Sequence, residues 1–375
     1  MKFFYIIILT LFFVSGYSQQ NMDTIYGNPK SVREKVEFLN SDKQNNRLFQ
    51  GDGDYGHATI FTPKNISETF QYNWFEMKGC FYINYYKEYL RSGQPKNEIW
   101  YDKDGITKRK YKYTYDKNDN LIQEKEVYYN GEYYLTNYAF DYKGQIRSYI
   151  SIFSDETDSF TYRMFEHDSL ERLIKTTSFY DDGYSDAIYN RYNENNKLSR
   201  TFRHRPNKWR DNDNGSRTFI SDSVGIWNEI NRYEYDKSDN LVLKTSFNSE
   251  TNIPSGKTIY KYDERNNLIY EGYARDTIYA YRNYEYNSKN LKTRYEYEFV
   301  KNAKFKEIID YFYNEEEYLN RIVLTSFDNK TGNKKENKIN YKYKFDKKRN
   351  WTAITKIVND EPLYVWTRKI KYYKD

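Results

Sequence analysis

The chain has 375 residues, of which 20% are aromatic and 30% charged, with one cysteine and a formal net charge of +6. The ring content argues against intrinsic disorder, because disordered chains are poor in aromatic residues, although the mean hydropathy is only −1.07. The single cysteine excludes an intrachain disulfide and a thiolate zinc site.

Residues 1–18 predict a secretory signal peptide. Lys2 supplies the positive start, Phe3 to Val14 the apolar stretch, and Gly16 to Ser18 a small-x-small cleavage site. The apolar stretch is too short to span a bilayer, and no other run approaches its length. We therefore expect an exported protein, periplasmic or extracellular, without a transmembrane segment after signal removal. Retention of the signal as a membrane anchor is the alternative.

Residues 19–98 carry strand-like stretches, such as Ser31 to Phe38 and Cys80 to Tyr86, but no clean copy of the repeat that follows. Terminal units of repeat proteins are commonly atypical because they close an exposed end. We interpret 19–98 as a degenerate N-terminal β cap that is continuous with the repeats. The apolar context of Cys80 favours a buried, inert thiol.

From residue 99 to residue 375, a nine-residue pattern recurs at intervals of about 25 residues. It reads aromatic, any residue, aromatic, Asp or Asn, three or four variable residues and an aliphatic, as in Tyr233 to Leu241 and Tyr260 to Leu268. Rings at every second position share one face of a strand, Asp and Asn favour a turn, and the aliphatic starts a return strand. The unit is therefore predicted to be a β-hairpin.

With the Asp or Asn as the origin, the copies fall at Asp102, Asp116, Asp141, Asp168, Asn193, Asp236, Asp263, Asn287, Asn314 and Asp346. Asp102 and Asn287 lack the aliphatic residue five positions later and are the least regular copies.

These residues resemble the YD repeat of the Rhs family, whose unit reads approximately YxYDxxGRL, and Phe165 to Leu173 is a close copy. The turn glycine of that family is present at Gly105 and Gly144. In other copies the same position is Asp119, Asp239 or Asn266. The resemblance implies strand-turn-strand units in one long spiralling sheet, which in large members encloses a toxin. Here no toxin-like segment follows the last repeat, so toxin delivery is not the favoured role.

We therefore predict an all-β fold, an elongated and twisted antiparallel sheet of tandem β-hairpin repeats arranged as a YD-repeat-like meander or spiral. The long gap between Asn193 and Asp236 predicts a polar, turn-rich loop insertion near 203–227. Insertions in repeat arrays leave as loops on one face and often carry binding, so a local site is sought there first.

The sequence yields no catalytic, cofactor-binding or metal-ligating residue, and the binding residues are unknown. The histidines His57, His167 and His204 have no metal-ligand spacing, and His167 occupies a ring position of the repeat. The acids Asp211, Asp213 and Asp222 only faintly match a calcium loop, since its sixth-position glycine and final Glu are missing.

We expect a non-catalytic exported protein that presents an extended surface to envelope or extracellular glycan or protein, with no cofactor and no nucleic acid partner. The alternatives are a secreted polysaccharide hydrolase, with acids in 203–227 or in the cap, and a protective partner of a secreted toxin. From Lys330 onward, 14 Lys or Arg stand against 5 Asp or Glu. This basic end could attract phosphate or acidic glycan, or its lysines could simply discourage edge-to-edge pairing.

Overall fold

The computed structural model describes residues 25–39, 84–101, 105–154, 159–211, 217–248, 251–300, 305–328 and 332–374. Within these ranges the chain forms one sheet of 22 strands. The strands are β1 Pro29–Phe38, β2 Asn84–Tyr89, β3 Pro95–Tyr101, β4 Thr107–Tyr115, β5 Leu121–Tyr128, β6 Tyr133–Phe140, β7 Ile146–Phe153, β8 Phe160–His167, β9 Leu173–Tyr180, β10 Ser185–Tyr192, β11 Leu198–Asp211, β12 Arg217–Tyr235, β13 Leu241–Phe247, β14 Pro254–Tyr262, β15 Leu268–Ala274, β16 Ile278–Tyr286, β17 Lys292–Phe299, β18 Phe305–Tyr313, β19 Leu319–Asp328, β20 Lys334–Phe345, β21 Trp351–Val358 and β22 Glu361–Tyr372. No helix in the described ranges is long and apolar enough to cross a membrane.

Consecutive strands pair antiparallel, so the predicted all-β fold of tandem hairpins is confirmed. The ring face is the side of the sheet that carries Tyr260 and Tyr262, which pair with Glu271 and Leu268 of the next strand. The opposite face carries the residues between them, such as Lys261. Side chains alternate between the two faces because the strand period is two residues.

Ten turns share one hydrogen-bonding pattern at one end of the sheet, called the turn rim. In the turn that begins at Asp236, its N–H donates to the Asn240 carbonyl (2.9 Å), and the Asp239 N–H donates back to the Asp236 carbonyl (3.1 Å). The Asp236 carboxylate accepts the N–H groups of Ser238 and Asn240 at 2.8 and 2.9 Å. The recurring Asp therefore serves turn formation, as the sequence indicated.

Nine of the ten turns begin at predicted origins, including Asn287, whose N–H donates to the Leu291 carbonyl at 2.9 Å. The tenth begins at Leu90 and lies inside the predicted cap, with its N–H 2.8 Å from the Gln94 carbonyl. Pattern reasoning missed it because leucine supplies no capping carboxylate. Asp102 lies outside the described residues, between the end of β3 and the start of β4.

Six of the tyrosines that directly precede a turn are held by their hydroxyls as well as by their rings. Tyr235 donates to the Leu198 carbonyl at 2.9 Å, and five other tyrosines at the same repeat position make the same bond. These bonds are Tyr115 to Pro95, Tyr192 to Leu173, Tyr262 to Leu241, Tyr286 to Leu268 and Tyr313 to Lys292. Each acceptor is the fifth residue after the preceding turn origin. Because only its backbone carbonyl is used, Lys292 serves as well as leucine.

The sheet closes on itself into a ring of strands, which differs from the elongated, twisted meander or spiral that the sequence predicted. β1 pairs with β2 through Ser31 and Glu88, and with β22 through Val32 and Ile370. Every strand therefore has two partners, and the 22 strands form a closed ring. Closure removes both sheet edges, which would otherwise expose unpaired backbone groups. No local pattern indicates this pairing, because β1 and β22 are the first and the last strands in chain order.

A buried ion pair fastens the seam between β1 and β22. The Glu34 carboxylate accepts the Arg368 Nε–H at 2.6 Å, the Trp366 Nε1–H at 2.9 Å and the Tyr85 hydroxyl at 2.7 Å. The Glu34 and Arg368 side chains are each 1% exposed, and the guanidinium lies 3.6 Å from the centre of the Trp351 ring. Three strands thus converge on one carboxylate.

The turn rim closes at the same place. Asn350, the last residue of the final turn, accepts the Tyr26 N–H at 2.7 Å and donates to the Tyr26 carbonyl at 2.9 Å. The main hydrophobic cluster of the described residues also surrounds the seam. It consists of Val32, Tyr85, Trp100, Ile309, Tyr311, Leu319, Ile322, Leu324, Ile339, Tyr341, Trp351, Ile354 and Trp366. In the described ranges, the main buried cluster therefore lies beside the strands that join β1 to β22.

Candidate binding surfaces

The stretch predicted as a loop insertion forms an extension of the β11–β12 hairpin. The two strands pair from Arg200 opposite Arg232 to Asp211 opposite Arg217. Pairing of β11 with β10 reaches only His204, and pairing of β12 with β13 begins at Asn231. The distal part of the hairpin is therefore a two-stranded ribbon that extends beyond its neighbours.

A group of stacked rings lies at the base of this ribbon on the opposite face. The Trp227 ring centre is 4.5 Å from that of His204, with 29° between the planes, and 4.8 Å from that of Tyr189. Trp227 is 50% exposed. These three residues are called the Trp227 platform.

Register and backbone geometry position the platform. Trp227 lies directly opposite His204, which on its other side pairs with the small Ala187. Gly225 has a φ of +62°, and a Cβ there would lie 2.2 Å from His204 Nε2. Glycine at this position therefore permits both the turn of the backbone and the approach of the imidazole.

The platform presents flat apolar surfaces with polar edges. An indole, an imidazole and a phenol combine large contact area with groups that can hydrogen-bond at their rims. The Lys175 ammonium lies 5.5 Å from the centre of the Tyr189 ring and is ion-paired with Glu166 at 2.7 Å, so a donor and an acceptor both lie beside the platform. This arrangement suits the stacking of a pyranose ring whose hydroxyls point outward.

A second group, on the ring face, brings three carboxylates from β3 and β5 into electrostatic contact. Glu126 accepts the Tyr111 hydroxyl at 2.9 Å and is ion-paired with Arg109. Burial raises the pKa of Glu124, and the carboxylates of Glu126 and Glu98 raise it further. Neighbouring carboxyls with different environments are a pattern of acid/base sites. Sequence reasoning could not find this group because it depends on strand register.

The histidines and aspartates that the sequence offered as candidates are not brought together into one site. His167 occupies a ring position in β8, with Nδ1 3.2 Å from Arg147. Burial of the imidazole lowers the His167 pKa, and the positive charge of Arg147 lowers it further. Asp211 ends β11 and Asp222 lies within β12. His57, Cys80 and Asp213 lie outside the described residues. Within the described ranges, no group of three or more His, Cys, Asp or Glu could hold a metal ion.

No protein-family model matches the sequence, and no curated protein matches it. Among solved structures, the chain is similar to the crystal structure of TcdB2-TccC3-Cdc42, with 11% identity, a TM-score of 0.31 and coverage of 72% of this chain and 18% of that one. It is also similar to the Photorhabdus luminescens Tc holotoxin pore, with 10% identity, a TM-score of 0.24 and coverage of 72% and 22%.

A porin-like protein from Bacteroides uniformis ATCC 8492 matches with 8% identity, a TM-score of 0.27 and coverage of 92% of this chain and 98% of that one. The chain spans about a fifth of the length of the two Tc toxin chains. At these identities and TM-scores we draw no functional conclusion from the three structures.

Proposed function

We propose that this chain is an exported YD-like β-repeat protein that binds an extracellular or envelope glycan through the Trp227 platform. Export rests on the signal-like residues 1–18, and the YD-like assignment rests on a repeated Asp or Asn turn preceded by tyrosine. The glycan role rests on the exposed rings at the base of the β11–β12 ribbon.

The exposure of Trp227 carries the proposal. Four tryptophans have described side chains, and the other three, Trp100, Trp351 and Trp366, are 4%, 1% and 1% exposed. Among the tryptophans with described side chains, Trp227 is therefore the exception: its half-exposed indole stacks on His204 and makes a tilted contact with Tyr189. Exposed apolar clusters with polar rims mark interaction sites.

A glycan fits the platform better than a protein partner does. Three rings cover the area of one or two sugar units, whereas a stable protein interface buries about 800 Å² on each partner. The ring edges and Lys175 offer hydrogen-bond donors to hydroxyls beside the stacked face.

Binding to a panel of immobilised envelope and extracellular polysaccharides tests the proposal. Trp227→Ala is expected to weaken binding at least about 10-fold, which corresponds to 1.4 kcal/mol. Tyr142→Ala is the matched control, since Tyr142 is 93% exposed but stands in a turn away from the platform. Binding that is absent from the whole panel, or equal in wild type and Trp227→Ala, would contradict the proposal.

A polysaccharide hydrolase is the second candidate, and the Glu98, Glu124 and Glu126 group favours it. Glycosidases pair a carboxylic acid of raised pKa with a second carboxylate, and Glu124, whose pKa is raised by burial, lies close to Glu126, which is ion-paired with Arg109. Release of reducing ends from any bound polysaccharide, abolished by Glu124→Gln, is the expected result. If the protein binds a polysaccharide but releases no reducing ends from it, the hydrolase function is wrong.

A further inference from the structure

A cavity lies on the opposite face, far from the Trp227 platform. It has a volume of about 400 Å³ and spans β2 to β5. Its opposite-face lining, called the basic pocket, includes Tyr86, Glu88, Asn97, Lys110, Lys112 and Lys125. Seven strand spacings of about 4.8 Å each separate β5 from β12, so one sugar unit cannot touch both places.

The lysines of the basic pocket are placed against each other. Lys112 lies directly opposite Lys125 in the ladder, with Asn97 on its other side. Like charges directly opposite each other destabilise a sheet. In the described part of the chain, no carboxylate forms an ion pair with Lys110, Lys112 or Lys125. An anionic ligand would relieve this repulsion.

The positive charge continues toward the seam. Arg33 pairs with Tyr86 of the pocket and, on its other side, lies directly opposite Lys369. A second pair of like charges therefore borders the pocket on the same face. Two such pairs within a few strands create a local excess of cations that can attract an acidic polymer.

The pocket also contains groups suited to hydroxyls. The Glu88 carboxylate accepts the Tyr86 hydroxyl and the Asn97 amide, both at 2.9 Å. The hydrogen bond from Asn97, followed by that from Tyr86, lowers the Glu88 pKa and keeps the carboxylate ionised. A phosphate polymer offers this carboxylate only repulsion, because its charged oxygens are acceptors. A sugar hydroxyl can donate to it.

We propose that the basic pocket binds a uronic acid unit of an acidic polysaccharide. The carboxylate of the sugar lies between Lys112 and Lys125, and its hydroxyls contact Glu88 and Asn97. The site uses residues separate from the Trp227 platform and stands whether or not that platform binds glycan.

Titration of the full-length mature protein with oligogalacturonate, hyaluronan fragments and oligoalginate tests the proposal, with methyl-esterified oligogalacturonate as the uncharged comparison. At least one acidic oligosaccharide is expected to bind. The Lys112→Gln, Lys125→Gln double variant should weaken that binding at least about 10-fold, as should methyl esterification. Raising the salt concentration should weaken it too, because exposed charges are screened.

The Lys117→Gln, Lys347→Gln double variant is the matched control, since both lysines lie in exposed turns of the turn rim. It should leave binding unchanged. Thermal unfolding of the pocket variant should occur close to the wild-type temperature, because relief of the repulsive pair offsets loss of the contact between the Lys125 ammonium and the Tyr133 ring, 4.2 Å away. A loss of binding would then not reflect unfolding.

Three results would overturn the proposal. One is that none of the acidic oligosaccharides binds, and another is that the methyl ester binds as tightly as the acid. The third is that polyphosphate or single-stranded DNA binds as well as the uronates and loses as much affinity in the pocket variant, which would make the pocket a general anion surface. Trp227→Ala should not change uronate binding, so the two sites can fail independently.

Discussion

At the scale of single residues, the third position after each turn origin has a left-handed backbone, with φ between +60° and +90° in all ten turns. Only Gly93 and Gly144 meet this need with glycine. The other eight turns have a non-glycine residue there, and the left-handed conformation costs such a residue about 1 to 2 kcal/mol. These turns survive because the pattern of turn hydrogen bonds fixes them.

Arg349→Gly should raise the free energy of unfolding by about 0.5 to 1 kcal/mol. Relief of the left-handed strain at φ +65° exceeds the entropy that glycine adds to the unfolded chain. Gly144→Ala is the reverse test and should lower stability by about 1 kcal/mol. No atom lies closer than 3.5 Å to its new Cβ, so only backbone strain is measured. Urea denaturation giving the opposite signs would show that this position is not strained.

Tyr235→Ala should cost about 2 to 4 kcal/mol of stability, and more than Tyr101→Ala. Burial raises the Tyr235 pKa to about 12, and its hydroxyl binds the Leu198 carbonyl. Tyr101 belongs to the Asp102 copy and is covered by the Arg33 guanidinium, 4.4 Å from its ring. Tyr235→Phe, which keeps the ring, should cost about 1 kcal/mol. Equal and small effects of both alanine variants would mean that the rings of the motif contribute little to folding.

At the scale of the hairpin, neighbouring turns are joined along the turn rim. The last side chain of one turn reaches the left-handed residue of the next, as when Asn240 donates to the Asn266 side chain at 3.0 Å. Four other turns make the equivalent contact: Gln94 to Asp119, Gln145 to Glu171, Arg172 to Asn196 and Asn267 to Asn290. The motif therefore specifies the contact between hairpins as well as the hairpin itself.

Stability should fall as the pH drops below the ordinary aspartate pKa of 3.8. Hydrogen bonds from Asn240 lower the pKa of Asp236 in the folded state. A carboxyl with a depressed folded pKa stabilises the fold above its unfolded pKa and loses that contribution as the pH falls through the folded value. Five other turn aspartates share the lowered pKa: Asp116, Asp141, Asp168, Asp263 and Asp346.

Asp236→Asn isolates this effect, because Asn193 and Asn287 begin equivalent turns. The variant should fold normally at pH 7 and lose less stability than wild type as the pH falls through 3.8 and below it. Urea midpoints measured across this range check it. Parallel pH profiles of variant and wild type would contradict the role given to the carboxylate.

At the scale of the whole molecule, the seam should carry an unusual share of the stability. Glu34→Ala would leave Arg368 buried without its carboxylate, at a cost of about 3 to 5 kcal/mol. Glu37→Ala, on the same strand, removes only an exposed ion pair with Lys35 and should cost less than about 1 kcal/mol. Replacing both buried partners by apolar residues, as in Glu34→Leu with Arg368→Met, should recover only part of the loss, because the Trp366 Nε1–H and the Tyr85 hydroxyl also lose Glu34 as their acceptor. A Glu34→Ala cost no larger than that of Glu37→Ala would contradict the role of the seam.

The sequence predicted what local chemistry determines. Alternating tyrosines and capping Asp or Asn residues were enough to place the hairpins and nine of the ten turns. The turn at Leu90 was not predicted, because it has the same backbone hydrogen bonds but no Asp or Asn side chain at its first position. The Trp227 platform lay at the end of the stretch chosen for inspection, but its stacking depends on register and on Gly225. The Glu124 group and the closure of the sheet depend on which strands become neighbours, and no local pattern encodes that.

The pairing of the first and last strands can be tested directly by cross-linking. Lys35 and Thr367 are ladder partners on β1 and β22, so Lys35→Cys with Thr367→Cys, in a Cys80→Ser background, places two thiols on adjacent strands. A short thiol–thiol cross-linker should join them within one molecule, and Lys35→Cys with Lys257→Cys on β14 should remain unlinked. An unlinked Lys35→Cys, Thr367→Cys monomer, folded and reactive at both thiols, would mean that the sheet is open and that the closed ring is wrong.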